Sequence, residues 1–238
     1  MDEHFATHYF KAREKEKRIY PDEEVAMLPF VKRGHLYFNE WEIRKRSFKK
    51  LRTYLQKKNK SLRILDIGCG NGWMSNLLSE IHDSSVTGID PNNFEIEQAK
   101  RVFKDQPRVY FVHGDFLETM HDQFDVIVMA ASIQYFPDLS VLFEKLFRML
   151  PVGGEIHILD SPFYSDNEVL KAKESTLRYY EALGFPEMAN HYHHHRWSAI
   201  SGFGAEAMNS SLIQRILLKV FKTQDNYFPW IVIKKKKA

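Results

Sequence analysis

Hydrophobic positions along this chain recur at two spacings, and the switches between them mark out its elements. Arg63 to Ile67 is a short apolar run of strand character, and similar runs lie near 85–90, 109–113, 124–130 and 155–160. Between them apolar residues fall at helical spacing. Trp73, Leu77, Leu78 and Ile81 share one face of a helix predicted near 72–81, and further helices are predicted near 93–105 and 139–150. The last of these carries a stripe of Leu139, Leu142, Phe143, Leu146, Phe147 and Leu150, with Asp138 placed to cap its start and Pro151 to stop it. Asp166 to Leu183 reads as another helix, closed by Gly184. Val220 to Thr223 and Phe228 to Ile233 are expected to pair as a final antiparallel couple. Strand and helix in alternation predict an α/β fold, a doubly wound and mostly parallel sheet of seven strands.

Residues 1 to about 60 precede this alternation and have helical character. Lys11 to Arg18 is a mixed-charge stretch, and Pro21 and Pro29 separate it from the next helical segment. Trp41, Phe48, Leu51 and Leu55 would share one helix face. The nine Lys and Arg between Arg44 and Lys60 then point outward, with no acid among them. They form either a solvated face or a phosphate-binding surface for RNA or a phosphorylated substrate. The expected division is a helical extension or lid at 1–60 and the α/β domain at 61–238.

Composition narrows the classes. Hydrophobic residues make up 44% of the 238, and no stretch approaches the roughly 20 apolar residues of a membrane span. The N-terminus lacks the basic-then-apolar pattern of a signal peptide. Cys69 is the only cysteine, which excludes an internal disulfide or a multi-cysteine zinc site and makes a cytoplasmic setting the expectation. The net charge of +3 comes from 34 basic and 31 acidic residues, and Lys234 to Lys237 supply four of the basic ones. Global charge gives little support for nucleic-acid binding.

The chemistry concentrates at Ile64 to Gly72, Ile-Leu-Asp-Ile-Gly-Cys-Gly-Asn-Gly, followed by Gly-Ile-Asp at 88–90. A strand, a glycine turn and a helix allow a ligand to press against bare backbone at a helix N-terminus. Asp90 ends the second strand, where α/β nucleotide folds place a ribose-binding carboxylate. A dinucleotide fingerprint needs a third glycine at position 73, where this chain has Trp73. The order from Asp66 to Gly72, D-x-G-x-G-x-G, instead resembles the first motif of class I S-adenosylmethionine-dependent methyltransferases. Val112-His113-Gly114-Asp115-Phe116 resembles that family's adenine-contacting segment. Phe124 to Ala131 with Gln134-Tyr135-Phe136 resembles its fourth strand and following loop, and Leu150 to Gly154 its turn into the fifth strand.

The resemblance implies a Rossmann-like fold, S-adenosylmethionine as cofactor and S-adenosylhomocysteine as product. It implies that Asp66 orients the turn and the methionine amine, while Gly68, Cys69, Gly70, Asn71 and Gly72 form the turn. Asp90 and Pro91 would meet the ribose side, Asp115 and Phe116 the adenine, and Ala130 and Ala131 would leave room for the methionine chain. Methyl transfer from a sulfonium is an in-line displacement, so the protein chiefly aligns donor and acceptor and excludes water. Where a base is required, the candidates are Tyr37, Tyr135, His191, His193, His194 and His195. The cluster from His191 to His195 reads as acceptor-pocket lining, a metal site, or a structural segment. Tyr20 and Pro21 to Phe38, with Phe30, Tyr37 and Phe38, have the aromatic content of a cover that would meet the histidines over the cofactor edge.

The segment Met129 to Pro137 lacks the Asn/Asp-Pro-Pro-Tyr/Phe sequence of nucleic-acid amino-methylating relatives. A small-molecule acceptor is therefore expected, without nucleic acid or membrane as partner. The alternatives are an RNA- or protein-directed methyltransferase, or a catalytically silent binding protein using the Arg44–Lys60 face.

Overall fold

The computed structural model describes residues 3–208 and 228–237. In chain order it contains α1 (Glu3–Lys15), α2 (Asp22–Val25), α3 (Phe38–Gln56), β1 (Arg63–Ile67), α4 (Trp73–Leu78), β2 (Ser85–Asp90), α5 (Asn93–Val102) and β3 (Val109–His113). Then come α6 (Phe116–Thr119), β4 (Val126–Ala130), α7 (Leu139–Arg148), β5 (Glu155–Leu159), α8 (Asp166–Leu183), α9 (Ser198–Ser201), β6 (Glu206–Ala207) and β7 (Ile231–Lys234). Short 3-10 turns lie at Ile133–Tyr135 and Pro186–His191.

The seven described strands form one sheet in the order β3-β2-β1-β4-β5-β7-β6. β1 to β5 run parallel, and β7 is antiparallel to both β5 and β6. β7 starts three residues later than the expected Phe228. Besides β5, it pairs among the described residues with β6, which the sequence did not signal, and Val220 to Thr223 lie outside the described residues.

Parallel strands covered on both faces need apolar side chains on both, and the central strands supply them. In β1 and β4, Leu65, Ile67, Ile127 and Met129 enter one core with Phe143 and Leu146 of α7. Ile64, Val126 and Val128 point the other way, into a core with Leu51 and Leu55 of α3 and Trp73 of α4. Helix ends carry the expected signals. The Asp138 carboxylate accepts from the N–H groups of Ser140 and Val141, and Gly184 closes α8 at φ 81°.

α3 is thus a wall of the sheet rather than an appendage. Trp41, Phe48, Leu51 and Leu55 are buried as their spacing predicts, and Ser47 donates a 2.6 Å hydrogen bond to Asp160 just beyond β5. Of its basic face, Arg44, Lys45, Arg52, Lys58 and Lys60 are ion-paired with Glu40, Glu42, Glu80, Glu155 and Asp125. Leu51→Ala opens a cavity under a fully buried side chain and is expected to lower stability by about 2–5 kcal/mol, read from urea unfolding. A loss below about 0.5 kcal/mol would show that α3 is peripheral.

Candidate active site

The strand order reverses between β1 and β4, and a crevice forms beyond their carboxyl ends, where open α/β sheets take ligands. The backbone there is shaped by specific bonds. Gly68 N–H donates to the Ile89 carbonyl at 2.8 Å, Gly70 N–H to the Asp90 carboxylate at 2.9 Å, and Asn92 N–H to its other oxygen at 2.8 Å. Asn92 then caps α5 through Phe94 N–H. Asp66 accepts a 2.6 Å hydrogen bond from Ser75.

All three glycines of the turn, Gly68, Gly70 and Gly72, answer to protein neighbours. A Cβ on Gly72, at φ 78°, would stand 2.5 Å from the Phe111 ring and 2.9 Å from Ala99. Gly72 does not line the crevice; it lets α4 start against β3 and α5. A Cβ on Gly70 would stand 2.6 Å from a Glu95 carboxylate oxygen. After β4 and β5, Ala131 (φ 55°) and Asp160 (φ 52°) sit in the left-handed region, which costs a residue with a Cβ about 1–2 kcal/mol. Strain of this kind is retained where the surroundings over-determine the backbone, as at a ligand-binding edge.

The crevice has three chambers that meet at Tyr9, Ala131 and Tyr135. The first is apolar on Ile67, Ile89, Phe116 and Phe136, with Asp90, Pro91 and Asp115 also on its wall. The second is polar and runs along the glycine turn, past Asp66, Cys69, Gly70, Asn71, Asp90, Glu95 and Ala130 to Arg13 and Arg44. The third lies above Ala131 and is walled by Tyr9, Tyr135, Tyr180, Tyr192, Arg18 and Glu40, among others. Of the residues implied for the cofactor, Asp66, Gly68, Cys69, Gly70, Asn71, Asp90, Pro91, Asp115, Phe116, Ala130 and Ala131 come together on these walls.

The catalytic candidates fare differently. Tyr135 touches all three chambers. The Tyr37 hydroxyl donates instead to the Glu16 carbonyl, and its ring lies under Arg18 at 3.7 Å, away from the cavity. His191 ends a 3-10 turn, and neither His191 nor its neighbours His193 and His195 line the chambers. His193 N–H donates to the Gln134 carbonyl at 2.7 Å, His195 Nε2 lies 3.2 Å from the Ile133 carbonyl, and His194 pairs with Thr176. These contacts hold the 133–135 turn in place, and Tyr192 is the residue of this stretch that reaches the chamber. The described residues contain no group of His, Cys, Asp or Glu able to hold a metal.

The cover also departs from expectation. Phe30 is 59% exposed, whereas α1 brings Tyr9 and Arg13 over the crevice. α1 is anchored by Lys15 donating to the Leu183 carbonyl at 2.6 Å and by the Tyr9–Tyr135 ring contact at 5.8 Å. Its mixed charge concealed this role in the sequence. Glu95 was also missed, because an acid three residues after Asn92 reads as ordinary helix-start chemistry. The available signal was that Glu95 shares a helix face with Ala99 and Val102, four and seven residues on.

Charge in the crevice is unusual for buried groups. Burial pushes Asp66 up to about 6, only partly offset by Ser75. Burial also raises Asp90 to about 6 against its backbone donors, and burial together with the charge of Asp90 raises Glu95 to about 7. Burial would raise Glu40 too, but Arg18 and Arg44 outweigh it and hold it at about 2. The Cys69 thiol is raised by burial and by neighbouring carboxylates, which removes it as a nucleophile.

The fold is an α/β sheet with a crevice at its topological switch point, and known proteins can be set beside it. Residues 64–154 match the family described as a methyltransferase domain. Sterol 24-C-methyltransferase of Aspergillus fumigatus is 30% identical over 98 residues, 39% of this chain and 26% of its own length. Malonyl-[acyl-carrier protein] O-methyltransferase of Priestia megaterium is 32% identical over 100 residues, 41% of this chain and 36% of its own length. The chain thus spans about a third or less of these relatives. Magnesium protoporphyrin IX methyltransferase of Synechocystis PCC 6803, solved with S-adenosylhomocysteine, aligns over 94% of both chains at 13% identity with a TM-score of 0.61. Residues 64–154 thus match a methyltransferase domain, and the chain as a whole shares the fold of that solved methyltransferase.

Glu95 gives the ligand-free site a testable pH signature. Its folded value of about 7 lies above its ordinary 4.5, so between those values the folded protein holds a proton that the unfolded chain has released. Glu95 therefore costs stability as pH rises through this window. Wild type and Glu95→Gln are expected to have equal unfolding free energies at about pH 5, with the variant the more stable by about pH 8. Parallel pH profiles would show that Glu95 ionises freely.

Proposed function

We propose that this chain transfers a methyl group from S-adenosylmethionine to a small-molecule acceptor. The observation that carries the reading is the junction of three chambers at Ala131 and Tyr135: an apolar slot, a charged groove along the glycine turn, and a tyrosine-walled chamber. The residues present fit the cofactor. Phe116, Ile89 and Phe136 offer an apolar surface for an adenine, with Asp115 also on the wall. The Asp90 carboxylate already accepts two backbone N–H groups and has lone pairs left for a ribose diol. Arg13 and Arg44 stand across the charged groove, suited to the donor's carboxylate.

When bound, S-adenosylmethionine supplies an electrophilic methyl on a sulfonium. The chain's part is alignment and exclusion of water. Tyr9 and α1 cover the junction, and Tyr135, Tyr180 and Tyr192 orient the acceptor through hydroxyl groups. Burial raises Tyr9, Tyr135, Tyr180 and Tyr192 above the usual phenol range, so they act as neutral hydrogen-bonding groups rather than as tyrosinate bases. The chamber accordingly suits a nucleophile that reacts without surrendering a proton to the protein.

In this reading residues 1–60 form the cover and one wall, and 61–238 the transferase domain. The ion-paired basic face of α3 supports a solvated role for it and a small-molecule acceptor over nucleic acid. No described helix is long and apolar enough to cross a membrane. The single cysteine suits a cytoplasmic setting.

Calorimetry with S-adenosylhomocysteine tests the assignment. Wild type is expected to bind, and Asp90→Ala to bind at least about tenfold more weakly, the loss of one charge-assisted hydrogen bond to the ribose. Asp90→Asn, which keeps the acceptor oxygen for Gly70, should also lose affinity. Full affinity in both folded variants would remove Asp90 from the site.

A further inference from the structure

Buried carboxylates in this crevice are matched with donors, with one exception. Asp66 accepts from Ser75, Asp90 from Gly70 and Asn92, and Asp160 from Ser47. Glu16 and Glu40 are ion-paired with Arg13, Arg18 and Arg44. Glu95 is only 8% exposed, yet among the described residues its carboxylate accepts no hydrogen bond and has no cation at ion-pair distance. It is not a loose side chain. Its N–H is held by Asn92, and Ile96 and Ala99 bury the helix that carries it. The carboxylate lies over the glycine turn, 2.6 Å from the position a Cβ on Gly70 would take, and faces the charged groove.

Ionised carboxylates are seldom buried without a cation or donors, because water's stabilisation is lost with nothing in return. Arg13 and Arg44 line the same groove and act on Glu95 only from beyond ion-pair distance, so the carboxylate still lacks a donor within hydrogen-bond reach beside the glycine turn. That polarity matches an α-amino acid: ammonium toward Glu95, carboxylate toward the arginines. We propose that Glu95 is the acceptor for the α-ammonium of the donor's amino-acid end, a binding role for a residue outside the glycine and ribose motifs. The proposal rests on the methyltransferase reading above and names the contact that fixes the donor's tail. An ammonium offers three N–H donors, which suits a carboxylate reached from one side only. Once occupied, the site removes the burial penalty that Glu95 carries in the free protein.

The test compares ligands that share the nucleoside and differ in the tail. 5′-Methylthioadenosine has adenine, ribose and thioether but no amino acid; decarboxylated S-adenosylmethionine keeps the ammonium and lacks the carboxylate. Glu95→Gln, which preserves size, is expected to weaken S-adenosylhomocysteine and decarboxylated S-adenosylmethionine by at least about tenfold, while methylthioadenosine changes by less than about threefold. Equal loss for all three would place Glu95 on the ribose and overturn the proposal. Undiminished affinity for the two ammonium ligands would overturn it as well. If wild type binds none of the three, the methyltransferase reading itself falls, a result separate from either of these.

Discussion

The hydrogen bonds that Asp90 accepts from Gly70 and Asn92 set the geometry on which the rest of the site depends. One carboxylate at the end of β2 fixes the middle of the glycine turn and the first turn of α5 together. The turn places Gly68 against Ser132 at the end of β4, and α5 places Glu95 over Gly70. The floor of the crevice is thus built from backbone bonds at the strand ends, before any side chain from the periphery contributes. The same carboxylate also lines the cavity, with lone pairs to spare.

How much of this the sequence discloses depends on how local the cause is. The parallel sheet was legible because central strands must be apolar on both faces, and Ile64 to Ile67 and Val126 to Ala130 carry that pattern unmistakably. The glycine turn, Asp66 and Asp90 were legible because backbone geometry at a strand–helix junction restricts which residues can stand there. Periodicity also placed α3 correctly, through Trp41, Phe48, Leu51 and Leu55. What could not be read were contacts between segments far apart in the chain. Tyr9 and Arg13 lie in a helix whose mixed charges look solvated, and only its docking beside Tyr135 and Leu183 shows the role. The histidines misled for the converse reason. A cluster of imidazoles suggests chemistry, but His193 N–H bonds to the Gln134 carbonyl, the His195 ring lies against the Ile133 carbonyl, and none of the rings lines the three chambers. β6 is two residues long, too short for any alternation to show.

The electrostatic design of the site follows from the same geometry. Arginines from α1, the segment after it and α3 converge on a crevice already crowded with acids, and pairing with Glu16 and Glu40 keeps them in fixed positions. What remains without a close partner in the groove is Glu95, raised by burial and by the charge of Asp90. A zwitterion with a cationic sulfonium nearby suits such a field better than a neutral ligand does, and better than an anion alone. Charge in the tyrosine chamber is largely paired, Glu16 and Glu40 with Arg13, Arg18 and Arg44, and Tyr9, Tyr135, Tyr180 and Tyr192 supply further polar surface.

The central claim is that one ligand lies along this floor with its nucleoside in the apolar slot and its amino acid in the charged groove. A crystal structure of the protein soaked with S-adenosylhomocysteine tests it most directly. The expected density puts adenine beside Phe116, both ribose hydroxyls within hydrogen-bond reach of Asp90, and the amino-acid end between Glu95 and the Arg13–Arg44 wall. A nucleoside bound elsewhere on the molecule, or a tail directed away from Glu95 and the arginines, would contradict the account.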